Sequence, residues 1–107
     1  MNSGDLARAV RLLREGVDLD PGSASYWNSL GMVLGASGDL PEAEKAFREA
    51  IRRDGGNAQY AYNLRLALLR QGRKDEAVTF FRRSLELKPD FRAPRARLGE
   101  LVRPAAQ

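Results

Sequence analysis

The sequence predicts an all-α fold, and three observations lead to that prediction. Residues 24–57 recur as residues 58–91 at a shift of 34, with nine identical pairs. Apolar residues within each repeat stand three and four positions apart, which is the spacing of one helix face. No stretch alternates between apolar and polar residues over the length of a strand. We therefore expect an α-solenoid of antiparallel helical hairpins, with about six helices in the 107 residues.

Each complete repeat is predicted to consist of two helices joined by a short turn. In the first repeat the apolar face of the first helix comprises Tyr26, Trp27, Leu30, Val33 and Leu34. Ser37-Gly38 then breaks the pattern, and Asp39 with Glu42 three residues later is typical of a helix cap. The apolar face of the second helix comprises Ala43, Ala46, Phe47, Ala50 and Ile51.

The repeat phase divides a single domain, residues 1–107, into four segments. The expected segments are 1–23, the second helix of a partial repeat; 24–57 and 58–91, two full repeats; and 92–107, the first helix of another partial repeat. The order is therefore half, whole, whole, half. Such a phase favours either a piece of a longer array or a chain that completes itself with a partner.

The spacing Trp27-x2-Leu30-Gly31-x2-Leu34, followed by Ala43-x3-Phe47, resembles the tetratricopeptide repeat signature. The second repeat keeps Ala77-x3-Phe81 at the same phase. The resemblance implies a protein–protein interaction scaffold that binds a peptide or a partner helix. In that family the first helices of successive repeats line a concave binding face.

The resemblance places one candidate binding set on this concave face. Its members are Asn28, Met32, Gln59, Tyr62, Asn63, Leu66, Leu69, Arg70 and Arg97. Tyr and Arg are the residue types that most often dominate binding energy, and Met adapts to different apolar partners. Some family members clamp the C-terminal carboxylate of a chaperone with Lys and Arg. Only Arg97 fits that pattern here, so carboxylate clamping is not expected.

One residue departs from the expected pattern in the middle of the second repeat. Arg65 occupies the position that Gly31 occupies in the first repeat, where a small side chain lets the paired helices approach. We expect Arg65 either to bend its charged end out to water or to loosen that hairpin.

Composition argues against an enzyme. The chain contains no Cys and no His, which excludes disulfides, Ser-His-Asp and Cys-His catalysis, and zinc sites built on thiolate or imidazole. No glycine-rich phosphate loop is present, and the carboxylates fall at helix caps or among charged pairs. We therefore expect no catalytic residues, no metal and no cofactor.

The net charge of +4 is weak evidence for nucleic acid, because the basic C-terminal segment has only Phe91 as a stacking aromatic. No apolar run approaches the roughly 20 residues that span a bilayer, and no signal peptide is visible. These features favour a soluble, cytoplasmic protein without nucleic acid or membrane partners. Fifteen of the eighteen basic residues are Arg, which is typical of a GC-rich bacterial genome.

The two partial repeats suggest a second role, that of a self-assembling structural element. The first helix of the chain carries an apolar stripe without a preceding mate, and the last carries Leu98, Leu101 and Val102. Docking of one on the other in a second copy would rebuild a whole repeat and give a homo-oligomer. The alternative for the last helix is a polar cap, which solenoids need for solubility.

Overall fold

The computed structural model describes residues 3–87 of the chain, and within them it contains five α-helices and no strand. The helices are α1 (Ser3–Leu19), α2 (Ala24–Ala36), α3 (Leu40–Arg53), α4 (Ala58–Arg70) and α5 (Lys74–Leu87). The all-α prediction is confirmed. The sixth helix predicted within residues 92–107 lies outside the described residues. None of the five helices is long and apolar enough to cross a membrane.

Short polar caps determine where three of the helices begin. The side chains of Ser23, Asp39 and Asn57 accept hydrogen bonds from backbone N–H groups in the first turns of α2, α3 and α4 respectively. Each cap supplies an acceptor to a donor that has no partner inside the helix. Pro41 stands in the first turn of α3, where its missing N–H removes no helical hydrogen bond.

Both hairpins turn through the same glycine-based geometry. Gly38 and Gly72 adopt φ of 90° and 79°, a region that other residues rarely enter. Beyond these glycines, the N–H of Asp39 donates to the Leu34 carbonyl and that of Arg73 donates to the Leu68 carbonyl, each over 2.9 Å. These bonds satisfy carbonyl groups at the helix ends, so each turn ends one helix and immediately starts the next.

The described residues form two compact units that divide between Gly55 and Gly56. The first unit contains α1, α2 and α3, in which α2 packs against both other helices. Phe47 of α3 lies against Gly31 of α2, so that a Cβ at Gly31 would lie only 2.6 Å from Cε1 of Phe47. The absence of a side chain at Gly31 therefore allows the ring to lie against the α2 backbone.

The second unit packs α4 against α5. Leu64 and Leu68 of α4 and Ala77 and Phe81 of α5 are fully buried. These residues correspond to Leu30, Leu34, Ala43 and Phe47 of the first unit, which are also buried. The same repeat positions therefore build the core of both hairpins.

Two glycines within helices, Gly31 of α2 and Gly16 in the last turn of α1, provide a matched test of the α2–α3 contact. We expect Gly31→Ala to lower the free energy of unfolding, since overpacking against Phe47 costs about 1–3 kcal/mol and outweighs the gain in helix propensity. A Cβ at Gly16 would lie 3.6 Å from the Tyr26 ring, an ordinary contact, so Gly16→Ala should raise stability by about 0.5–1 kcal/mol. Urea unfolding followed by the fluorescence of Trp27, the only tryptophan, measures both. Equal stabilisation by the two substitutions would contradict the close contact.

Candidate partner-binding surface

The face of α4 that we name the α4 face is formed by residues at helical spacing. Its members are Gln59, Tyr62, Asn63, Leu66, Leu69 and Arg70. Gln59 and Arg70 are exposed, and the other four are half-buried. The intervening residues Ala61, Leu64, Arg65 and Leu68 are buried. The α4 face therefore combines accessible apolar groups with polar groups. The opposite side of α4 is buried and holds the helix in place.

A hydrogen-bonded amide pair occupies the first half of the α4 face. Nε2 of Gln59 donates to Oδ1 of Asn63 over 3.1 Å. Gln59 is also held through its backbone, because its N–H donates to Oδ1 of the cap residue Asn57 over 2.9 Å. An amide group has several donor and acceptor sites, so this pair retains the capacity to bond a peptide backbone.

Tyr62 links the α4 face to the core of the second unit. Its ring centroid lies 6.2 Å from that of Phe81, with the ring planes at 46°. The Cζ of Arg65 lies 3.8 Å from the centroid of Phe81 and 5.1 Å from that of Tyr62. The guanidinium therefore lies over both aromatic rings, an arrangement that stabilises a cation through the negative faces of the rings.

The burial of Arg65 corrects one expectation from the sequence. Its side chain is 0% exposed, so the prediction that it bends out to water is wrong. The guanidinium is planar and less strongly hydrated than an ammonium group, and it can therefore be buried over the Phe81 ring inside the hairpin. Sequence reasoning missed Arg65 as a support of Tyr62. A signal was present, since Arg65 replaces the glycine that meets the ring in the other repeat.

The two predicted binding residues of the first unit lie one turn apart on α2. Met32 is 56% exposed, and Nδ2 of Asn28 lies 3.6 Å from its sulfur as a weak hydrogen bond. An exposed methionine of this kind offers an apolar and adaptable contact. Arg97, the remaining predicted site residue, lies outside the described residues.

A sequence model described as "Tetratricopeptide repeat" matches residues 1–58 and again residues 29–90, which together span most of the chain. The chain belongs to the tetratricopeptide repeat (TPR) family. The resemblance inferred from the Trp27 to Phe47 spacing is thereby confirmed. No match was found among curated proteins.

Solved structures of other proteins resemble the chain closely in backbone. The crystal structure of MamA has a TM-score of 0.86 and 25% sequence identity, covering 90% of this chain and 56% of MamA. A mutant of the Thermobaculum terrenum O-GlcNAc transferase has a TM-score of 0.81 and 28% identity, covering 92% of this chain and 19% of that protein. The chain thus spans little more than half of the first protein and about a fifth of the second.

A third structure is an isolated TPR domain of similar size. The second TPR domain of human RPAP3, solved in complex with an HSP70 peptide, has a TM-score of 0.84 and 24% identity. The alignment covers 92% of this chain and 82% of that domain, and it shows that the two share a fold.

Substitution of Arg65 tests its structural role in this TPR hairpin. We expect Arg65→Ala to lower the free energy of unfolding by about 2–4 kcal/mol, because it leaves a cavity beneath Tyr62 and beside Phe81. Arg65→Met fills most of that volume without the charge and should recover much of the loss. Urea unfolding followed by circular dichroism measures both variants. An Arg65→Ala protein as stable as the parent would contradict the stacked arrangement.

Proposed function

We propose that this TPR chain is a non-catalytic interaction module that binds a peptide or a partner helix on its first helices. The observation that carries the proposal is the composition of the α4 face. Half-buried Tyr62, Leu66 and Leu69 lie beside the Gln59–Asn63 amide pair and the exposed Arg70. A partner that covered this face would bury apolar side chains and satisfy polar groups at the same time.

The apolar contribution that the α4 face can make to binding is limited by the burial its leucines already have. Full burial of one leucine contributes about 1.5–3 kcal/mol relative to full exposure, and Leu66 and Leu69 are already half-buried. Binding must also overcome the entropy of ordering both partners. A partner therefore gains most by covering Leu66 and Leu69 with apolar side chains and by forming hydrogen bonds with the Gln59–Asn63 pair.

Asn28 and Met32 of α2 are proposed as a second contact area, and Arg97 as a further contact. An exposed methionine beside an amide repeats on α2 the pairing of apolar and amide groups on the α4 face. RPAP3 supports the general role, since its second TPR domain was solved with a peptide bound.

The contacts of Tyr62 decide which residue is suitable for a test. A charge at Tyr62 would disturb Phe81 and Arg65 as well as any bound partner. Leu66 on α4 and Met32 on α2 are better choices, and Thr79 on α5 is an exposed control in the second unit.

Selection of random dodecapeptides displayed on phage against the chain supplies a defined probe. We expect peptides that bind the α4 face to bind the Leu66→Lys variant at least about tenfold more weakly, equivalent to about 1.4 kcal/mol, because a charge replaces an apolar contact. Peptides that bind the α2 area should be weakened in the same way by Met32→Lys. Thr79→Lys, which adds the same charge, should bind as the parent does. In NMR spectra, the peptide should shift the side-chain amide signals of Gln59 and Asn63.

Three results would contradict the proposed function. They are the absence of any enriched peptide, unchanged binding by Leu66→Lys, and loss of binding by Thr79→Lys alone.

A further inference from the structure

An apolar strip on α1, which we name the Leu12 face, is accessible in the structure. It comprises Ala9, Leu12, Leu13 and Leu19. Leu12 is 59% exposed and Leu19 is 87% exposed, while Ala9 and Leu13 are half-buried. Leu12 and Leu19 stand seven residues apart and therefore lie on the same helix face.

The repeat itself shows what usually covers this strip. At the shift of 34 residues, Ala9, Leu12 and Leu13 correspond to Ala43, Ala46 and Phe47 of α3. Those three residues are 0%, 2% and 5% exposed. Phe47 is covered by α2, the first helix of its own hairpin, through the backbone at Gly31. Ala9, Leu12 and Leu13 of the Leu12 face therefore correspond to residues that are buried in the complete repeat, and Leu13 corresponds to the ring that contacts a first helix.

The chain carries a sequence of first-helix type near its C-terminus. At twice the repeat shift, Leu98, Gly99 and Val102 fall on Leu30, Gly31 and Leu34 of α2, and Leu101 falls on Val33. Leu30, Gly31 and Leu34 are buried in the first unit. We propose that residues 92–103 of a second copy of this chain dock on the Leu12 face and complete the partial repeat of α1.

The expected register brings complementary sizes together. Gly99 of the second copy takes the place of Gly31, and Leu13 takes the place of the Phe47 ring that touches Gly31. Leucine is smaller than phenylalanine, but Leu12 replaces the smaller Ala46 beside it. The larger residue at one position offsets the smaller residue at the other.

Charge also favours this occupant. The last turn of α1 has no basic residue, and Asp18 and Asp20 stand at that end. In an antiparallel hairpin the start of the docked segment, with Arg92 and Arg95, meets the end of α1. Cations are stabilised at the C-terminus of a helix, and here carboxylates reinforce that effect. By contrast, α3 carries its own Arg52 and Arg53 in its last turn.

Such a contact joins different surfaces of the two copies. Each copy contributes residues 92–103 to one neighbour and its Leu12 face to another, so the assembly closes into a ring or continues as a filament. This assembly uses the Leu12 face of α1 rather than the α4 face. Residues 92–103 include Arg97, the further contact named above, so the test relies on Leu12, Leu98 and Leu101 and not on Arg97.

Complementation between two variants of the full chain tests the contact. Leu12→Glu places a charge on the Leu12 face, which should prevent docking there. Because Leu12 is exposed, the substitution should leave the fold intact. Leu98→Glu places a charge in residues 92–103, which should prevent that segment from docking. Leu101→Glu is a second variant of the same segment, to be used if Leu98→Glu does not fold. Ala7→Glu adds the same side chain at an exposed position of α1, roughly 140° around the helix from Leu12, and serves as the control.

Light scattering after size exclusion, from about 1 µM to about 1 mM, measures the mass of each variant. We expect the parent and Ala7→Glu to gain mass with concentration, and Leu12→Glu and Leu98→Glu to remain monomers when alone. An equimolar mixture of the two monomeric variants should form dimers, because it contains one intact face and one intact segment. Circular dichroism confirms that each variant remains helical.

Other outcomes would overturn the proposal. A parent chain that is monomeric throughout would show that the Leu12 face takes no second copy. Association of Leu98→Glu and Leu101→Glu as strong as that of the parent would show that α1 meets α1 instead. A mixture that stays monomeric would exclude the pairing of face and segment.

Discussion

The contact between one aromatic ring on the second helix of a hairpin and one position on its first helix organises both units. Phe47 meets the bare backbone at Gly31, and Phe81 meets the guanidinium of Arg65. In the first unit the helices fit because nothing projects from the facing position. In the second unit the planar guanidinium of Arg65 occupies the corresponding position. A missing side chain in one hairpin and a planar cation in the other therefore both allow the aromatic ring to pack against the first helix.

This contact also connects the core to the candidate binding surface. Arg65 packs against the ring of Tyr62, and Tyr62 is half-buried among the residues of the α4 face. A rigid aromatic side chain that is supported from below loses little conformational entropy when a partner covers it. Because Arg65 replaces the glycine, the second unit has a Tyr62 ring that packs against a buried guanidinium, and the described residues of the first unit include no such pair.

Much of the fold could be predicted from the sequence because the repeat supplies the same information twice. Nine identical pairs at one offset established the hairpins, and Gly38 and Gly72 marked turns that the structure places at positive φ. The path of Arg65 could not be predicted, since periodicity assigns a residue to a helix face but does not decide where a long side chain ends. The positions of Asn28, Tyr62 and Asn63 on first-helix faces followed from phase, whereas their contacts with Met32, Phe81 and Gln59 required coordinates.

The NMR signal of the Arg65 side chain tests the organising contact most directly. A guanidinium stacked 3.8 Å from the Phe81 centroid lies in the shielding region of that ring, and its burial slows exchange of the Nε proton with water. We expect an upfield-shifted, exchange-protected Arg65 Nε–H signal that loses its upfield shift in Phe81→Leu. A signal at the position of a solvated arginine, exchanging rapidly with water, would contradict the contact between Arg65 and Phe81.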